Sequence, residues 1–299
     1  MRLRAFAPAK INLFLHVAPP RVDGKHPLAG LTVFADAGDL LTLDTEGPPG
    51  LRVEGPMADG VPTGGDNLVV RALDAFAAAT GENATRPSIV LEKRLPAAAG
   101  IGGGTSDAGA ALRLARAAMA PGLPDAALME IAAGLGADGP MCLFPTATWT
   151  EGLGEILTPE PRLPPLHAVL VNPRVPVPTG AVFAAYDAGP VREADRPAPP
   201  DDWSVDGVLA WLAGQRNDLQ APAEALHPVV GEVLRLVQSR SEVALTRMSG
   251  SGATAFGLCR TAKEAARAAG GLLRDRPDWW VAAVRLDQVD GDPRPISAG

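Results

Sequence analysis

A chain of 299 residues is long for one hydrophobic core and predicts two packed lobes. Its net charge of −7 offers no basic face for nucleic acid or a membrane surface, so an anionic ligand must be held by local amides, a few cations and a metal ion. Aromatic residues are 4% of the chain, which leaves the core to Ala, Val and Leu. The two cysteines, Cys142 and Cys259, fit neither a zinc site nor a disulfide framework and predict a reduced, cytoplasmic protein. No apolar run is long enough to span a bilayer, and Lys10 and Asn12 interrupt the N-terminal stretch that faintly resembles a signal peptide.

The first predicted element is a strand over 2–17. Ile11, Leu13, Leu15 and Val17 alternate onto one face and Lys10, Asn12, Phe14 and His16 onto the other, so Lys10 and Asn12 point the same way. Asp23-Gly24 is turn chemistry within a loop over 19–30, and strand-like residues return over 31–43. Residues 46–67, rich in glycine and proline, read as loop with a short strand at 51–53. Asp66 or Asn67 caps a helix through Ala79, and Gly81 ends it. A buried strand at 88–91 leads into a glycine-rich loop and a helix through Met119. A further helix runs from Asp125 to Ala133, and 134–140 breaks it. A short apolar run at 141–144 and a hairpin at 149–157 follow. The proline-rich stretch 159–165 divides an N-terminal lobe, 1–160, from a C-terminal lobe, 161–289. The second lobe reads as a strand at 168–171, a helix to Tyr186, a polar connector over 189–202 expected to be mobile, and helices at 203–211 and 227–239. A hairpin over 243–259 turning at 249–252, a helix at 262–273 and a strand at 279–286 complete it. Residues 290–299 read as a loose tail. This order fits an α+β sandwich.

The most informative stretch is 96–119, PAAAGIGGGTSDAGAALRLARAAM, placed between a strand and a helix. On the helix, Ala108, Ala111, Leu112, Ala115, Ala118 and Met119 share one face, and Arg113 and Arg116 fall elsewhere. Glycines let backbone approach a ligand closely, and the unpartnered first amides of a helix carry partial positive charge, so the order strand, glycine loop, helix suits phosphate. It is not a Walker A loop, because the only Gly-Lys pair, Gly24-Lys25, is followed by His26. It is not a dinucleotide fingerprint, because Thr105 stands where the last glycine belongs. Residues 104–108, GTSDA, form a relaxed nucleophile elbow, which keeps acyl hydrolysis by Ser106 as an alternative. Ser106 and Asp107 are also good N-caps, and the Ser106 hydroxyl equally suits phosphate or Mg²⁺. Asp138, in a Gly-Ala-Asp-Gly-Pro turn, reads on its own as a turn-stabilising residue.

Three segments resemble, in order, the motifs of the GHMP small-molecule kinases. They are PAKINLFLHV over 8–17, the glycine loop against the pattern P-x-x-x-G-[IL]-G-G-G-[ST]-S-[DN]-A, and MSGSGATAF over 248–256. Within the family, the N-terminal strand and the R-x-D-G-x-H segment at 21–26 resemble the branch that phosphorylates the 2-hydroxyl of a cytidine-diphosphate polyol in isoprenoid synthesis. The resemblance implies a two-lobed α+β fold, with a ribosomal-protein-S5-like N-terminal lobe that binds ATP and a ferredoxin-like C-terminal lobe. It implies ATP and Mg²⁺ as cofactors. Phosphate would lie on Pro96, Ala97, Ala98, Ala99, Gly100, Ile101, Gly102, Gly103, Gly104, Thr105 and Ser106, with Ser106 also toward the metal. Asp138 would be the general base and Lys10 its partner. Asn12, Lys25, His26, Thr179, Phe183, Gly250 and Gly252 would face the polyol substrate. Two positions depart from the family: Lys25 replaces a tyrosine that would stack on the cytosine, and Gly139 replaces a valine. Another kinase of the family, acting on homoserine, mevalonate or a sugar, and a non-catalytic ligand-binding pseudokinase are the competing readings.

Overall fold

The computed structural model describes residues 1–81, 87–190 and 192–296. The N-terminal half runs β1 (Arg2–Val17), β2 (Leu28–Asp44), β3 (Gly50–Glu54), α1 (Leu68–Thr80), β4 (Ser88–Glu92), α2 (Gly103–Met119), α3 (Asp125–Ala133), α4 (Gly139–Leu143), β5 (Thr148–Glu151) and β6 (Ile156–Pro159). The C-terminal half runs β7 (Leu166–Asn172), α5 (Thr179–Asp187), α6 (Val205–Ala213), α7 (Gln220–Leu226), α8 (Pro228–Gln238), β8 (Leu245–Met248), β9 (Ala255–Cys259), α9 (Ala262–Asp275), β10 (Trp280–Asp287) and β11 (Arg294–Pro295).

Local chemistry sets several boundaries. The Asn67 side chain accepts from the Val69 amide to open α1, and Gly81 closes it in the left-handed region at φ 70°. A capping box between Thr261 and Glu264 opens α9. The short helix α4 stands where a break and an apolar run were expected, because Pro140 is tolerated in a first turn.

The strands form one mixed sheet whose main path is β11-β1-β2-β10-β7-β9-β8. β2 is its branch point. It pairs with β1 along most of its length, with β4 at 40–44, with β10 at Phe34 and Ala35, and with β5 at 30–32. The β2–β10 join carries the sheet across the proline-rich 159–165 stretch, so the two halves of the chain share it. β1 also threads three cores. Leu3, Ala5 and Ala7 pack with α1 and α2, Ile11 and Leu13 with β7 and α6, and Leu15 and Val17 with α5 and α8. Register shifts after Pro8 and Asn12 re-aim the strand between these surroundings. Both of its faces are covered from Ala7 onward, which buries Lys10, Asn12 and His16.

Two expectations are corrected. The connector is fastened down: the Trp211 indole donates to the Ala198 carbonyl (2.9 Å), Arg216 donates to the Glu193 carbonyl (2.7 Å), and Arg196 lies 4.2 Å from the Trp149 ring centre. The tail is also tied in. Gly291 is buried and β11 pairs with β1 through Leu3 and Arg4; residues 297–299 lie outside the described residues.

Candidate active site

The glycine loop turns on two left-handed glycines, Gly100 (φ 72°) and Gly102 (φ 63°). A Cβ at Gly100 would lie 2.5 Å from the Gly252 carbonyl oxygen, and one at Gly102 would lie 3.0 Å from the Lys10 Cβ. Ala98 holds φ 48° without a glycine's freedom, a strained conformation of the kind that clusters at functional sites. α2 begins at Gly103, inside the glycine run, with Gly102 as an N-cap that has no side chain to offer. The Ser106 amide donates to the Gly102 carbonyl (2.8 Å), so the amides of Gly103, Gly104 and Thr105 have no intrahelical partner. Three such donors at the positive end of a helix make an anion cradle.

The cradle is braced from the far end of the chain. Ser249 Oγ donates to the Gly100 carbonyl (3.2 Å), and Thr254 Oγ1 donates to the Ala99 carbonyl (2.6 Å). The Asn217 side-chain amide donates to the carbonyls of Met248 and Gly250, each at 2.8 Å. From the other side, the Lys10 amide donates to the Ile101 carbonyl (2.8 Å). Lys10 Nζ then reaches Asp138 Oδ2 at 2.6 Å. Asp138 is the N-cap residue of α4, yet its carboxylate caps nothing. The turn-stabilising reading therefore fails, and the carboxylate, 39% exposed, is presented beside the cradle. Burial opposes the charge on Lys10, but Asp138 and the neighbouring Cys142 more than offset it, so its pKa is raised and it remains a cation.

A second ionic group lies under the cradle. Lys93 Nζ donates to Asp39 Oδ2 and to Asp107 Oδ2 (2.9 Å), and all three side chains are buried. Asp39 Oδ1 also accepts from the amides of Arg94 (2.6 Å) and Leu95 (2.8 Å), whereas Asp107 Oδ1 accepts from no donor among the described residues. Burial pushes the Asp107 carboxyl up to about 8; Lys93 opposes the shift and Asp39 adds to it.

A cleft of about 970 Å³ joins these parts. Of the residues expected for phosphate, Pro96, Ala97, Ala98, Ala99, Gly100, Gly102, Gly103, Gly104 and Thr105 line it. Ile101 and Ser106 do not: both are fully buried behind the cradle. Ser106 is neither a cap nor an activated nucleophile, since its hydroxyl is buried inside the first turn, where its neighbour is the buried Cys142 thiol and not a base. That leaves the acyl-hydrolase reading without a base. Toward the other end, Asn12, Lys25, His26, Thr179, Phe183 and Gly250 line the cleft, and Gly252, which is buried, does not. His26 is packed, with its ring 4.8 Å from that of Phe183 and its Nε2 2.6 Å from Asp187 Oδ1. Thr179 and Ser251 share a hydroxyl contact of 2.9 Å. Lys25 is exposed at the mouth.

Sequence reasoning missed Lys93 and Asp107 as lining residues, and the segments 60–62 and 66–68 that close the cradle end. Glycine, proline and Asn67 in those segments signal turns and caps, and nothing local marks them as a ligand wall.

A backbone anion cradle facing a lysine–carboxylate pair across one cleft defines a small-molecule phosphotransferase. Residues 67–145 match the GHMP kinases N terminal domain, and residues 209–276 match GHMP kinases C terminal. The chain belongs to the GHMP kinase family. It is 54% identical over 289 residues to the 4-diphosphocytidyl-2-C-methyl-D-erythritol kinase of Caulobacter vibrioides (strain NA1000 / CB15N), covering 96% of this chain and 100% of that one. The protein of the same name from Dinoroseobacter shibae is 52% identical, with 95% of each chain covered. A crystal structure of 4-(cytidine 5'-diphospho)-2C-methyl-D-erythritol kinase superposes with a TM-score of 0.75 at 34% identity, covering 95% of this chain and 99% of that one. Homoserine kinase from Cytophaga hutchinsonii shares the fold, with a TM-score of 0.67 at 16% identity over 98% and 96% of the two chains.

Proposed function

We propose that this chain phosphorylates the 2-hydroxyl of 4-diphosphocytidyl-2-C-methyl-D-erythritol with ATP. The observation that carries the chemistry is the Lys10–Asp138 pair set against the Gly102 turn of the cradle. The choice of substrate rests on the near full-length likeness to kinases of that name. The ATP phosphates lie on the amides of Gly103, Gly104 and Thr105. The substrate hydroxyl meets Asp138, whose carboxylate accepts its proton as the oxygen attacks the γ-phosphorus. The new O–P bond forms, the bond to the β,γ-bridging oxygen breaks, and ADP leaves. Lys10 neutralises charge at the reacting oxygens. Asn12 faces the polyol, while Lys25, His26, Thr179 and Phe183 face the cytidine diphosphate.

Among the described residues no three acidic, histidine or cysteine side chains gather into a metal site. The residues present fit a Mg²⁺ that enters on ATP: Thr105 and Asp138, both oxygen donors, line the cleft, and Ser106 is buried behind the cradle. Such an ion supplies charge neutralisation at the phosphates. We place the reaction in the cytoplasm, a compartment that two buried, unpaired cysteines suit.

A coupled ADP-release assay over a panel of alcohols tests the reading. The expected result is turnover with the cytidine-diphosphate polyol and little with homoserine, mevalonate or galactose. Preference for one of those three would replace the substrate assignment, and no turnover with any alcohol would favour a ligand-binding pseudokinase.

A further inference from the structure

Arg113 sits on α2 at a position that helical spacing sets apart from the apolar face, yet it is only 1% exposed. Among the described residues no carboxylate pairs with it; four carbonyls do. Its Nε donates to Gly291 (2.9 Å), one terminal nitrogen to Cys142 (3.2 Å) and Leu143 (2.7 Å), and the other to Phe6 (2.8 Å). These acceptors lie on three separate segments: β1, the end of α4 and the C-terminal segment. Burial pushes the guanidinium down to about 10, which leaves it charged at neutral pH.

Cys142 and Leu143 are the last residues of α4, and Asp138 immediately precedes its first. A five-residue helix opening with Gly and Pro does not hold itself together. Its place is set from outside, at each end and along its side. A Cβ at Gly139 would lie 1.9 Å from the Ala132 carbonyl oxygen of α3, so glycine alone fits there. A Cβ at Gly109 of α2 would lie 2.5 Å from the Cys142 carbonyl oxygen. At the far end, Arg113 takes up two of the orphan carbonyls and meets the negative pole of the helix with a cation.

We propose that Arg113 is a positioning residue for Asp138, holding α4 in register with Lys10, and that the C-terminal segment at Gly291 completes the device. The proposal rests on the reading of Asp138 as the base. Gly291 lies outside both matched family domains, and a Cβ there would come within 2.8 Å of the guanidinium.

The test compares Arg113→Lys, Gly291→Val and Asp138→Asn with the wild type, each assayed below its own unfolding transition. Arg113→Lys keeps the charge but loses the fork that reaches four carbonyls. Gly291→Val disturbs the guanidinium from outside the cleft. Misplacing a reacting group by about an ångström costs on the order of 100-fold. The kcat of Arg113→Lys should therefore fall by at least about tenfold and that of Gly291→Val severalfold, with both KM values within about twofold of wild type. Wild-type kcat in these folded variants, with only the melting temperature lowered, overturns the positioning role. Should the larger changes prevent folding, Gly291→Ala decides by the same criterion. Loss of activity in Asp138→Asn beside unimpaired Arg113 and Gly291 variants would sink this proposal alone. A fully active Asp138→Asn would sink the base assignment and this proposal with it.

Discussion

Lys10 and Asp138 stand 128 positions apart in the chain and 2.6 Å apart in space. Each is unremarkable alone, a lysine on a strand and an aspartate in a glycine turn. Their pairing beside three amides with no intrahelical partner is what the proposed function takes as the reaction centre. Asp138→Asn keeps the shape and removes the proton acceptor, so kcat should fall by about 10²–10⁴-fold while ATP affinity by calorimetry stays near wild type. A kcat within a few-fold of wild type would contradict the assignment. Lys25 is the other informative residue. On the proposed substrate orientation its exposed ammonium would offer the diphosphate a contact that salt screens, where a tyrosine would offer stacking worth roughly 1–3 kcal/mol. Lys25→Tyr should lower KM for the cytidine substrate and flatten its dependence on ionic strength, leaving KM for ATP unchanged. Identical KM and salt response would show that residue 25 does not touch the base.

At the scale of elements, α2 carries most of the site. The positive-φ requirement falls at Gly102, not at Gly103, which is already the first helical residue. Gly102→Val should abolish ATP binding in a protein that still folds, because the side chain would both oppose the left-handed turn and press on Lys10. Unchanged ATP affinity would reduce the loop to a structural turn. Asp107, one turn on, predicts a pH effect on stability. Its folded pKa of about 8 lies above the ordinary 3.8, so the folded state holds the proton more tightly than the unfolded chain. Its contribution is full below about pH 4 and is lost as pH rises through about 8. Asp107→Asn, a residue the family motif also accommodates, should gain melting temperature relative to wild type between about pH 5 and pH 9. A difference that stays constant with pH would argue against a buried, proton-holding Asp107. Much of this element was readable beforehand: the glycine run, the helix behind it and the order of the motifs. The burial of Arg113 was not. Spacing puts it off the apolar face, and the carbonyls that receive it come from segments distant in sequence. The side-chain cap expected at Ser106 or Asp107 failed because the glycines themselves enter the helix.

For the whole molecule, the proline-rich 159–165 stretch was legible as a boundary, but the continuity of the sheet across it was not. That continuity depends on two residues of β2 pairing with β10, a contact between distant parts of the chain that periodicity does not encode. The same holds for the 290–296 segment. Its Asp, Gly and Pro content reads as loose, while pairing with β1 and the Gly291–Arg113 contact hold it in place. The cradle, its brace at 249–254 and the Lys10–Asp138 pair therefore come together only in the assembled fold. Its central claim is tested most directly by analysing the product formed from ATP and 4-diphosphocytidyl-2-C-methyl-D-erythritol by ³¹P NMR. The expected result is one new phosphomonoester, on the 2-hydroxyl, appearing in step with ADP and at least about 100-fold more slowly with Asp138→Asn. ADP released without that phosphomonoester, or the phosphomonoester formed at an undiminished rate by Asp138→Asn, would contradict it.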